Sequence, residues 1–220
     1  FNKLSTAQVA VLSTDVLRAA STSAIQGMGT VQLNALLSSQ IQALTSSQVQ
    51  ALSSAQLNAV GSTQIASLSS AQVKALTTDQ LNTMFTTALQ ALDTVDVQAI
   101  GTVVMQSLNS NALNGLASTQ IQALSSTQLK ALTTVQLNAL GSSAIQALGS
   151  NGVNDLSTTQ VGALSSTQLN SLTTAQVVGL STGNLKAIGT GALQGVSTTQ
   201  LNALSSTQVQ ALTSVQVQAL

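Results

Sequence analysis

The chain has 220 residues, of which 44% are hydrophobic and only 5% charged, against roughly 25% charged in an ordinary soluble domain. There is enough apolar side chain to bury a core, so the low complexity does not imply disorder, and the surface must be built from Ser, Thr, Gln and Asn. Five Lys or Arg balance five Asp, with no Glu, His, Cys, Trp or Tyr, which excludes imidazole and thiolate chemistry, disulfides, and the clustered cations that bind nucleic acid or anionic lipid.

From Leu4 onward every eighth residue is apolar, giving 27 octads over residues 4–219 without insertion or deletion. With Leu4 as position one, position six is apolar throughout, from Val9 to Val217. Positions two and three are mostly Ser, Thr or Gly. Position five is Gln in 17 of the 27. The consensus is L-[ST]-[ST]-x-Q-[VIL]-[QN]-A, and the whole of 1–220 reads as one repeat array.

One long helix is a poor reading. Eight residues at about 100° each overshoot two turns by about 80°, so the apolar stripe would spiral. A Ser/Thr pair would also fall mid-helix in every octad. A chain of very short helices fits better. In Ser125–Leu132, Ser125 can cap a helix while Gln128 reaches back to its N–H, a capping box. Leu124 before the cap and Leu129 at the fourth helical position form a hydrophobic staple. Such helices are too short to stand alone and must stack. The expected fold is an all-α solenoid, one capped helix per octad, with apolar groups inside and hydroxyls and amides outside. A β-solenoid is the alternative, since Q-V-Q-A alternates and Val, Ile and Thr favour strands.

Along the chain, Asp15 and Asp79 fall at position four, in the first turn, where negative charge suits the helix dipole. Asp93 and Asp96 fall at the cap and Gln positions and read as an acidic capping box. Asp155, at position eight, has no evident role. Gln at position five could also form solvent ladders or bind glycans, although a cap partner is the plainer reading.

A second period of forty residues overlies the octad, in blocks 21–60, 61–100, 101–140, 141–180 and 181–220. The last three blocks open with two degenerate octads, in which Val104, Ala112, Ala144, Gly152, Asn184 and Ala192 replace the Gln. Block 21–60 keeps part of this order and block 61–100 breaks it. Glycines gather in the weak pairs: Gly141, Gly149, Gly152, Gly189, Gly191 and Gly195. If five octads made a whole number of superhelical turns, these would align as a face for lateral assembly. Drift within a repeat copied in forties is the plainer alternative.

The repeat resembles the Ser/Thr/Gln/Ala-rich octapeptide arrays of very large bacterial surface or secreted proteins, over Leu4 to Leu220. The resemblance implies an extracellular or cell-surface filament, sheath or adhesin stalk, and carries over no catalytic residue. Few side chains are oxidation-prone, which suits such a material. The chain starts mid-pattern, as a piece of something longer would. No apolar run reaches the roughly 20 residues of a membrane span. The expected role is therefore structural and non-enzymatic, without cofactor, metal, nucleic acid or membrane insertion. The main partner is the chain itself, because a nearly uncharged surface lacks the repulsion that keeps copies apart and uncapped ends allow head-to-tail stacking. The alternative is an adhesin stalk or glycan-binding solenoid presenting a separate tip domain, with cell-surface glycans as partners.

Overall fold

The computed structural model describes residues 1–220. It contains 27 helices of four to seven residues and no strand, one helix per octad from Thr6–Ala10 to Ser214–Ala219. The all-α solenoid is the observed fold; there is no β-solenoid.

Each octad folds for the same local reasons. Position two is extended, with φ −71° and ψ 156° at Ser125, and its hydroxyl accepts the Gln128 N–H at 3.3 Å. The Ser125 N–H donates to Gln128 Oε1 at 3.1 Å, so the capping box is complete. The helix then runs to position seven or eight. It ends when position one turns extended, as Leu132 does at φ −62°, ψ 136°, while its N–H closes a last tight turn on the Leu129 carbonyl at 3.2 Å. The next Ser or Thr is already a cap, and its side chain competes for the backbone at that point. Leu37, Gly61 and Ala117 stand at the cap position without a hydroxyl. Their N–H groups still donate to Gln40, Gln64 and Gln120.

Stacking supplies what such short helices lack. Position six is at most 5% exposed from Val9 to Leu193, and position one is buried from Met28 to Ile188. The staple pair of each octad is thus its contribution to the core. A fully buried aliphatic side chain contributes roughly 1.5–3 kcal/mol, against roughly 1 kcal/mol for a cap, so the core dominates.

The chain forms two compact units, Phe1–Leu116 and Ala117–Leu220. In both, a helix packs on the one three octads later, as Thr22–Gln26 does on Ser46–Ala51 and Thr158–Gly162 on Thr182–Ala187. Hydrogen bonds between successive turns join residues 25 to 31 apart. A turn therefore takes between three and four octads. Five octads fall between one turn and two, so the forty-residue period does not bring its weak pairs into register.

Candidate functional site

The polar centre of the molecule is the glutamine of position five. Fifteen of these 17 side chains are buried, at 1–9% exposure, which corrects the expectation of amides facing solvent. A buried amide needs its donors and its acceptor satisfied. In Gln72, Oε1 accepts the cap N–H of Ser69 at 2.8 Å. Its Nε2 donates to the carbonyls of Ile41 at 2.9 Å and Leu44 at 2.7 Å, one turn below. Those acceptors are the position-six and position-one carbonyls where the lower helix ends; the first also takes a tight-turn N–H, that of Leu44 on Ile41 at 3.2 Å, and the second lies beyond the last N–H of its helix. One amide thus caps the start of its own helix and the end of another.

The contact repeats as a ladder. Gln40 reaches Val9 and Leu12, Gln48 reaches Leu17 and Ala20, and Gln80 reaches Val49 and Leu52. Gln64 reaches the position-seven carbonyl of Asn34 and the position-one carbonyl of Leu36. In the second unit Gln160, Gln168, Gln200, Gln208 and Gln216 repeat the position-six and position-one pair. Asn184 makes a longer version, at 3.2 Å to Asn154 and 3.4 Å to Leu156.

In three octads without Gln at position five, a position-seven Asn substitutes. The cap N–H of Phe85, above Ala88, donates to Asn58 Oδ1 at 2.8 Å. The cap N–H of Asn109, above Ala112, donates to Asn82 Oδ1 at 2.7 Å. Ser181 donates to Asn154 Oδ1 at 3.0 Å. In each case the acceptor lies 27 residues back. The amides of Asn58 and Asn82 also donate upward to the carbonyls of Thr83 and Ser107. Sequence reasoning missed this second set of contacts, because the pairing spans a turn whose length is not written in a single octad.

The six glycines of the weak octads do not share one face. Gly141, Gly189 and Gly191 are exposed, and a Cβ on Gly189 or Gly191 would meet nothing within 4 Å. Gly152 is buried beneath Leu148. Gly195 packs against the turn below, where a Cβ would lie 2.6 Å from Ser166 Cβ and 2.7 Å from its carbonyl. Close backbone approach is therefore used inside the solenoid at Gly195. Gly149 has φ +65°, the single positive φ in the chain, and lets Leu148 stay helical so that Ser142–Ala147 runs almost directly into Gly149–Asp155. This kink borders an open cleft of about 240 Å³ lined by Gln122, Leu124, Ser150, Asn151 and Asp155, among others.

The acids are placed individually. Asp15 and Asp79 lie in first turns, as expected. Asp93 caps the Asp96 N–H at 2.7 Å, and the Asp96 carboxyl, which also faces the Asp93 backbone N–H, accepts from Ser70 Oγ at 3.0 Å. Asp155 accepts from Ser126 Oγ at 2.6 Å, which accounts for a residue the sequence left unexplained. No group of His, Cys, Asp or Glu could hold a metal ion, and no helix is long and apolar enough to cross a membrane.

No curated protein matches the chain. The model of the ALTTAQ repeat matches residues 41–70, 49–86, 153–182 and 185–220, together just over half of the chain. The unmatched stretch 87–152 holds six of the ten octads without Gln at position five. With its octads, caps and turn-to-turn packing accounted for, the chain belongs to the ALTTAQ-repeat family.

Proposed function

We propose that this repeat protein is a building block of a self-assembling extracellular filament, sheath or surface layer, with no catalytic activity. The observation that carries the reading is the ladder. In most octads one side chain type joins a turn to the one below, so an array of this kind lengthens octad by octad by repeating one kind of contact. The surface supports it: Ser, Thr, Asn and Gln dominate, 5% of residues are charged and the net charge is zero, which leaves little repulsion between copies. Gly189 and Gly191 are exposed with open space around them, and lateral contact between copies is proposed at this small-residue patch. A glycan would be met by hydroxyls of positions three and four, since the amides of position five are buried.

Negative-stain microscopy of the purified chain at rising concentration tests this reading. Fibres or sheets are expected, and Gly189→Leu with Gly191→Leu should abolish lateral association without altering the circular dichroism spectrum. A monodisperse monomer at all concentrations would overturn the assembly reading. Specific binding by this chain on a glycan array, without assembly, would favour the stalk or glycan-binding alternative.

A further inference from the structure

The ladder contains one ionisable rung. Asp96 occupies position five and is 3% exposed, on the helix Thr94–Ala99, which packs against Ser70–Lys74. Every other buried polar side chain at that position is Gln or Asn. The carbonyls that a rung here would reach belong to Ile65 and Leu68, 31 and 28 residues back. A carboxylate has no proton to donate to them; Asp96 Oδ1 instead accepts the Ser70 hydroxyl at 3.0 Å.

We propose that Asp96 is an acid-operated rung. Taking a proton from solvent, its carboxyl gains an O–H donor and ties its helix to the carbonyl-rich turn beneath; losing that proton, it is a buried anion that can only accept, as it does from Ser70. The surroundings favour the protonated form. Burial raises the Asp96 pKa above 3.8, and the neighbouring Asp93 charge raises it further, opposed by the Ser70 hydrogen bond. Asp93 is the charged group in direct contact, through its cap bond. The packed helix carries only Lys74, at position seven and exposed, and Asp79 on the following helix is also exposed.

The sign follows from linkage. A carboxyl whose pKa is raised on folding binds its proton more tightly in the native state, so the native state gains stability as pH falls. The deficit caused by ionised Asp96 is complete above its folded pKa and is gone by the unfolded value near 3.8. Urea unfolding of the full chain from pH 7 to pH 3.8, for wild type, Asp96→Asn and Asp96→Gln, is the test. Asp96→Gln places the ordinary rung residue at the site, so it should fold. Both variants should show higher midpoints than wild type at pH 7, and the gap between wild type and Asp96→Asn should close on acidification. A gap independent of pH would overturn the proposal. So would an Asp96 carboxyl ¹³C resonance in the folded wild type that titrates at or below 3.8.

Discussion

Two stretches of the first unit show what the glutamine does. From Gln40 to Gln80 every octad carries a rung onto the turn below. From Met84 to Gly115, four successive octads carry Ala88, Asp96, Val104 and Ala112 at that position. The helices of the second stretch are six residues each, no shorter than the four to six of the first, with the same extended cap residue and buried staple. The rung is therefore not what makes each helix; the cap and staple do that. It joins turns, and it supplies a donor to the buried position-one carbonyl of the turn below. Where it is missing, Asn58 and Asn82 take over the cap N–H.

The largest expected effect separates the two halves of the amide. Gln8 has the capping box of its own helix but no turn beneath, and is exposed. Glu serves a capping box as well as Gln does, so Gln8→Glu should be near neutral. Gln72→Glu keeps the cap acceptor but buries a charge against the Ile41 and Leu44 carbonyls. It should cost about 3 kcal/mol at pH 7 in urea unfolding, the scale of an uncompensated buried charge. Equal effects at the two sites would mean that capping alone explains the residue.

A middle-sized effect probes the substitute contacts. Asn82→Ala removes the acceptor of the Asn109 N–H and should cost about 0.5–1 kcal/mol, the net worth of one exposed hydrogen bond. Adding Ala112→Gln should recover part of the loss, because the new side chain supplies the acceptor that other octads use. A double mutant that is no more stable than Asn82→Ala would deny that the two arrangements are alternatives. Smallest of all, Gly189→Ser adds a capping hydroxyl at an open position and should stabilise by about a few tenths of a kcal/mol, seen as a small rise in Tm.

Much of the fold is legible in eight residues. Ser125 and Gln128 spell a capping box, Leu124 and Leu129 a staple, and both form as read. The rung was harder to read, because its acceptors lie 28 and 31 residues away and depend on a turn length that no octad states. One signal was present: position five is Gln 17 times in a chain without Glu, although a cap alone accepts either. Insistence on the amide marks a need for a donor. The forty-residue period misled for the same reason. It is a real pattern of substitution, but the turn of 25 to 31 residues divides it unevenly. Gly152 and Gly195, at positions five and eight of their octads, pack inward, while Gly141, Gly189 and Gly191, at positions two and four, are exposed.

The most direct test is hydrogen exchange at the glutamine side-chain amides, followed by ¹⁵N NMR on the full chain. Position-five Nε2 protons, such as those of Gln72, Gln80 and Gln168, should exchange far more slowly than those of an exposed position-seven amide such as Gln122. Exchange of all glutamine side chains at one fast rate would contradict a buried ladder joining turn to turn.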